Sequence, residues 1–277
     1  MAARVGVVVV HYKNWDVTRR CVASVQASTY KNFGTQVVDN DKINRGFAGG
    51  ANVGIRAVLQ DSAVDYVLVL NNDAQLEPPA LTEMMKTPQE TGAGMVAPVV
   101  RRVSNNAIES MGLRINSARL GFNRRSASDG QLLCPTGAAA LYSRKLIEDV
   151  SRDGKFFDED FFMYGEDTDV GLQARALGYQ CVLAEKAVVF HEGSASASNT
   201  SAPMYLGHRN NVWYIAKNIS KKYWYQWPAI VAGQVASLAW LSARGDGKII
   251  WKAKYDALKG LPKIWRKRSK VFSYKEL

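Results

Sequence analysis

Asp65-Tyr66-Val67-Leu68-Val69-Leu70-Asn71-Asn72-Asp73 is an apolar run that stops abruptly on two amides and a carboxylate. Its unbroken hydrophobicity reads as a strand buried on both faces, with Asp73 at its carboxyl end. In open α/β sheets that edge is where ligands bind. A carboxylate framed by amides there suits a divalent metal that in turn holds a diphosphate; the plainer alternative is a strand followed by an Asn/Asp turn. The flanking sequence decides between the two.

Similar runs recur at Val5 to Val10, Gln36 to Val38, Met95 to Val100 and Ala187 to Phe190. Helical spacing of Val17, Cys21, Val22 and Val25 predicts a helix over Asp16 to Ala27, with Asn14 or Asp16 to cap it, and a second runs from about Gly50 to Leu59. Strands alternating with helices imply right-handed crossovers and an α/β fold with a mainly parallel sheet. From about 101 to 134 the chain turns polar and rich in Gly, Ser and Asn, which predicts loops and short antiparallel strands.

Parallel strands point the same way, so His11-Tyr12-Lys13-Asn14 and Val37-Val38-Asp39-Asn40-Asp41 should converge on the edge that carries Asp73. Asp39 could accept from the N–H groups of a pyrimidine, and Tyr12 could pack on its face; a turn carboxylate and a half-buried aromatic are the plain alternatives. The loop Asn44-Arg45-Gly46-Phe47-Ala48-Gly49-Gly50-Ala51-Asn52 opens a helix, and its glycines would let backbone amides approach a phosphate. It matches neither a dinucleotide fingerprint nor a P-loop.

A second acidic cluster lies in Phe161-Phe162-Met163-Tyr164-Gly165-Glu166-Asp167-Thr168-Asp169, at the mouth of a helix closed by Gly178. Capping and the helix dipole explain one such carboxylate, but not three within four positions. Asp167 is placed to take a proton from an incoming hydroxyl. His191, at the end of another apolar run, is either a further metal ligand or a structural histidine.

Composition divides the chain. Residues 205–277 hold 15 Lys and Arg against 3 Asp and Glu, a net +12, while the whole chain is +11 and residues 1–204 are therefore at −1. Six of the seven tryptophans fall in that tail. Lys221-Lys222-Tyr223-Trp224-Tyr225 and Trp265-Arg266-Lys267-Arg268 interleave cations with aromatics, a pattern that suits a membrane interface. Packing on the protein or a homo-oligomer is the competing expectation, and no nucleic-acid motif accompanies the charge. Pro228 to Ala243 is apolar but short for a bilayer span. The three separated cysteines, Cys21, Cys134 and Cys181, argue against a disulfide framework and fit a reducing cytosol; Val5 to Val10 is too short for a signal-peptide core.

Taken together, "VVVVHYKN", "VVDN", "NRGFAGGANVGI", "YVLVLNNDA", "PTGAAALYSR", "FFMYGEDTDVGLQARALGY" and "VVFHEG" resemble glycosyltransferase family 2, inverting enzymes of the GT-A fold, in the family's order and over about residues 5 to 195. Within it the chain looks most like bacterial rhamnosyltransferases of cell-wall and O-antigen assembly. The resemblance implies a catalytic domain over 1–204, nucleotide-binding to about residue 100 and acceptor-binding beyond it, followed by a helical extension over 205–277. It implies a dTDP- or UDP-sugar donor, Mg2+ or Mn2+ held by Asp73 with His191, and Asp167, paired with Glu166, as the base. Donor contacts would fall to His11, Tyr12, Asp39, Gly46, Phe47, Asn52, Asn71, Asn72, Thr136 and Gly137, and acceptor contacts to Arg209 and Asn210. The acceptor would be a glycan or polyprenyl-linked saccharide, met at the inner face of the cytoplasmic membrane. Two departures stand out: Asn71 replaces the first acid of the family's metal motif, and the loop between Asp39 and Asn44 is short. A sugar nucleotidyltransferase and a non-catalytic binding module are the competing classes; the place of the former's glycine-rich basic loop is taken here by His11-Tyr12-Lys13-Asn14-Trp15-Asp16.

Overall fold

The structure, a computed structural model, describes residues 2–193, 201–219 and 225–268. Strands and helices alternate as β1 (Arg4–His11), α1 (Trp15–Gln26), β2 (Phe33–Asp39), α2 (Gly46–Val58) and β3 (Val64–Asn71), then β4 (Ala74–Leu76), α3 (Ala80–Thr91) and β5 (Met95–Arg102). The polar stretch carries the short β6 (Ile108–Ser110), β7 (Leu113–Ile115) and β8 (Gly121–Asn123). Next come β9 (Ala139–Ser143), α4 (Arg144–Val150), α5 (Glu166–Ala176) and β10 (Cys181–His191), followed by α6 (Ser201–Asn218), α7 (Trp227–Ala243) and α8 (Gly247–Arg266).

One eight-stranded sheet runs in the order β2-β1-β3-β9-β5-β10-β4, with β6 beside β5. β1 is parallel to β2 and β3, and β5 is parallel to β10. β9 lies between β3 and β5, antiparallel to both, so β1, β2, β3, β5 and β10 all end on one edge. The sheet is thus mixed where the alternation suggested a mainly parallel one. The reason is the excursion from β6 to β8: it leaves and re-enters the sheet at the same edge, which obliges the next strand to run backwards.

Alternate residues of the central strands feed two cores, as a period of two requires. Val8, Val10, Val67 and Val69 face α2, while Val7, Val9, Leu68 and Leu70 face the layer of α1 and α3. Asn14 caps α1, its Oδ1 accepting from the amides of Asp16 at 3.0 Å and Val17 at 3.4 Å, a contact worth about 1 kcal/mol. α2 begins at Gly46 rather than Gly50, so most of the expected phosphate loop is helix. Its glycines serve close packing: a Cβ on Gly50 would lie 2.7 Å from Val10 Cγ1, and one on Gly54 2.2 Å from Val8 Cγ1.

The compositional break at 205 is no break in packing. Trp213, Tyr214, Ile215 and Ala216 of α6 share one core with Phe47, Phe157 and Phe161. α8 closes tightly on α6, since Trp213 Nε1 donates to Ala257 O at 2.9 Å and a Cβ on Gly260 would lie 2.5 Å from the Trp213 ring. Part of the tail's positive charge answers acids of the body: Lys217 Nζ lies 2.9 Å from Asp158 and 2.7 Å from Asp169, and Lys263 and Lys267 each reach Asp160 at 2.7 Å. Lys221, Lys222, Tyr223 and Trp224 lie outside the described residues. Among the described residues no helix is long and apolar enough to cross a membrane.

Candidate active site

The shared strand edge forms the floor of a cleft of about 1850 Å³. Tyr12, Gly46, Phe47, Asn71, Asn72, Asp73, Thr136, Gly137, Glu166, Asp167 and His191 all lie on its walls. The turn after β3 delivers Asp73, and the pairing of β4 with β10 sets Ala74 opposite His191. Asn72 steadies that turn by donating to Thr18 Oγ1 at 3.0 Å.

Asp73 and His191 are both buried, with Asp73 Oδ1 3.2 Å from His191 Nε2. The ring's other nitrogen, Nδ1, lies 3.1 Å from Glu109 Oε1. Burial alone would lower the His191 pKa, but hydrogen bonds to Asp73 and Glu109 together raise it to about 10. The hydrogen bond to His191 in turn holds Glu109 below its ordinary value. Nε2 is buried without a well-directed hydrogen bond, and it faces the cleft wall beside Asp73. An oxygen and an imidazole nitrogen at adjacent positions, with a carboxylate on the far ring nitrogen to orient it, form a donor set that fits a divalent cation such as Mn2+ once the cation has displaced the imidazole's proton. Glu109 was not anticipated. It comes from the three-residue strand β6, in a stretch where nothing marks one polar residue above another.

Across the cleft Glu166 and Asp167 open α5, behind a loop in which Phe162 and Tyr164 hold positive φ (both +67°) and Gly165 adopts +92°. Two non-glycine residues in that region within three positions mark a loop held against its own preference. Asp167 Oδ1 accepts from Thr168 N at 2.6 Å and Oδ2 from Gly137 N at 3.3 Å, so the carboxylate is fixed between α5 and the turn before β9. Burial raises its pKa against the lowering effect of those N–H donors. Glu166 is more extreme: burial, then the neighbouring charge of Asp167, pushes it well above the ordinary range, and its Oε2 has no hydrogen-bond partner. Burial and the neighbouring charge of the half-buried Asp167 thus favour the protonated form of Glu166. The third acid, Asp169, is fully buried and bound to Lys217, Asn218 and Gln173; its work is structural.

Five expected site residues are placed otherwise. His11 is fully buried, with Nδ1 at 2.6 Å from Thr18 Oγ1, Nε2 at 3.1 Å from Asp41 and its ring stacked 3.7 Å from Trp15, so it buttresses the end of β1. His11, Asp39 and Asp41 bring potential ligand atoms within 4.8 Å of one another, but both nitrogens of the imidazole are already engaged. Asp39 is exposed at the end of β2 and off the cleft wall; Asn40 beside it is on the wall. Asn52 is buried and clamps the chain at Phe156–Glu159, accepting from the amides of Phe156 and Phe157 at 3.1 and 2.9 Å. Arg209 and Asn210, expected at the acceptor, hold the loop before α5 instead. Asn210 Nδ2 donates to the carbonyls of Phe161, Met163 and Tyr164, and Arg209 donates to Asp160 and Phe161 while lying 4.2 Å over Trp213. Polar side chains set in motifs read as ligands in a sequence; here those of Arg209 and Asn210 are spent chiefly on backbone carbonyls.

Known proteins resemble this chain in sequence and in fold. Residues 40–151 match Glycosyl transferase family 2. The low-salt glycan biosynthesis hexosyltransferase Agl10 of Haloferax volcanii is 25% identical over 186 residues, 63% of this chain and 58% of that protein, so the match spans little more than half of the relative's length. Among solved structures, GalNAc-T7 with UDP, GalNAc and Mn2+ superposes with a TM-score of 0.58 at 11% identity, over 78% of this chain and 48% of that one. The mannosyltransferase PcManGT of Pyrobaculum calidifontis, in complex with GDP-Man and Mn2+, gives 0.52 at 14% identity, over 97% and 84%. Over residues 40–151 the chain is thus similar to Glycosyl transferase family 2, and its fold is the GT-A fold of these neighbours.

Proposed function

We propose that the protein is an inverting, metal-dependent glycosyltransferase that moves a hexosyl group from a nucleoside-diphosphate sugar to a hydroxyl of a glycan or lipid-linked saccharide. The observation that carries this reading is the placement of Glu166, the oriented carboxylate of Asp167 and the Asp73–His191 pair on the walls of one cleft. A sugar spanning the two would have its anomeric carbon between a proton acceptor and the anchor of its leaving group. Asp73 and His191 would hold the divalent cation, whose charge offsets that of the departing diphosphate.

The chain's own residues supply the rest. Phe47 and Tyr12 offer apolar faces to the donor, while Thr136 Oγ1, buried and without a hydrogen-bond partner, offers it a polar contact. The acceptor oxygen bonds to the anomeric carbon as the bond to the diphosphate oxygen breaks, and the acceptor's proton passes to Asp167. Its raised pKa suits that task, because a carboxylate with greater proton affinity is the stronger base. Rhamnose as the sugar, a dTDP or UDP carrier and a role in cell-surface polysaccharide synthesis rest on the resemblance read from the sequence; hexosyl transfer is also what the Haloferax relative's name records.

Asp167→Asn tests the reading. Transfer should fall by about 10² to 10⁴-fold while calorimetric donor binding with Mn2+ stays near that of the parent. Near-normal turnover in this variant removes Asp167 from the chemistry.

A further inference from the structure

The helix α7 is turned inside out for a protein in water. Every exposed position between Trp227 and Ala243 is apolar, Val231, Val235 and Trp240 being the large ones at 53%, 58% and 59% exposure. Its polar residues Gln234, Ser237 and Ser242 are the half-buried ones, and Gln234 donates inward to Asn211 Oδ1. A solvated surface helix has the opposite arrangement.

α8, packed beside it, exposes an apolar stripe of its own. Trp251, Tyr255, Leu258, Pro262 and Trp265 are all exposed and fall at i, i+4, i+7, i+11 and i+14, one stripe of a helix with 3.6 residues per turn. Lys248, Lys252, Lys259, Lys263 and Arg266, also exposed, form the adjoining row. Several cations lie over the exposed rings: Arg244 at 4.5 Å from Trp240, and Lys259 at 4.6 Å from Tyr255. An aromatic stripe edged by long cationic side chains matches the headgroup layer of a bilayer, with rings at the acyl boundary and charges at the phosphates.

We infer that the outer faces of α7 and α8 dock on an anionic lipid surface, lying in the interface without crossing it. A second copy of the chain is the lesser fit, because self-association would bring together two modules that each carry a net +12. The placement also has a use. Ala236, Ser237, Trp240 and Leu241 of α7 wall the same cleft that holds Asp73 and Asp167, so docking brings the mouth of the cleft to the membrane surface. Resting on the glycosyl-transfer reading, this favours an acceptor tethered to lipid.

Flotation of the full chain with vesicles of phosphatidylcholine, with and without phosphatidylglycerol, tests the docking separately from catalysis. Binding should require phosphatidylglycerol, weaken with salt, and shift tryptophan emission to the blue. Trp251→Ala with Leu258→Ala, both at exposed positions, should keep the parent melting temperature and bind at least about tenfold more weakly; Lys248→Glu with Lys259→Glu should do the same through charge. No binding at low salt overturns the inference, as does unchanged binding in both variants. So does a concentration-dependent dimer, seen by sedimentation, that the Trp251 and Leu258 substitutions abolish. Asp167→Asn should still float, so loss of transfer with retained flotation separates the two proposals.

Discussion

At the scale of single residues the site is built from groups held away from their ordinary protonation states. Glu166 illustrates the cost. Its pKa in the folded chain lies well above its value in the unfolded chain, so the folded protein binds that proton more tightly. Stability therefore falls as pH rises from the ordinary glutamate range through the raised value, so the penalty is absent in acid and has begun to build by neutral pH. Glu166→Gln should raise the melting temperature at neutral pH, with the gain vanishing below about pH 4; scanning calorimetry across pH checks it, and a gain that persists in acid refutes the cause. Asp73 is the counterpart on the other wall. With Asn71 in place of a second acid, Asp73→Ala should remove the Mn2+-dependent part of donor binding measured by calorimetry, and unchanged binding ends its assignment. The sequence allowed Asp73, His191, Glu166 and Asp167 to be singled out because each sits where an apolar run or a loop meets a helix. Glu109 gave no such signal, since its partner His191 lies 82 residues away in the chain and meets it only because β6 and β10 both pair with β5.

At the scale of elements, strands buried on both faces write themselves into the sequence and short ones do not. β1, β3, β5 and the end of β10 were legible as unbroken apolar runs, whereas β9 is five residues long and its backward direction follows only from where the preceding excursion re-enters the sheet. α6 was legible as a helical region but not as the element that braces the site. Lys217 shows its weight: the ammonium is buried between Asp158 and Asp169, and the lysines beside Asp158 bring that acid down to about 2 although burial alone would raise it. Lys217→Met would strand buried carboxylates, and a loss of about 3–5 kcal/mol is expected from urea unfolding. A change below about 1 kcal/mol would mean that water already reaches the pair.

At the scale of the molecule, composition separates body from tail as charge, while α6 joins the two in one core. The +12 of the tail is partly spent inward on Asp158, Asp160 and Asp169, and partly displayed on α8. The outward turn of α7 could not be read from an uncharged segment, because such a segment looks the same whichever side faces the protein. A chain ending at residue 204 would expose the apolar surface that Trp213, Tyr214 and Ile215 now cover. It should fail to give a folded monomer, judged by circular dichroism and gel filtration; a cooperative, soluble 1–204 fragment would restore the two-domain view.

α6 has one consequence of a mechanical kind. On one flank Arg209 and Asn210 grip the carbonyls of the loop that presents Glu166 and Asp167, and on the other Trp213 is fastened to α8 at Ala257. Within about one turn, the helix thus links the loop before Glu166 and Asp167 to the helix that carries the exposed aromatic stripe. A tilt imposed on α8 from outside would strain these contacts, which lie between the stripe and the loop that presents Glu166 and Asp167. The indole of Trp213, clamped at the junction, is a built-in gauge of that strain.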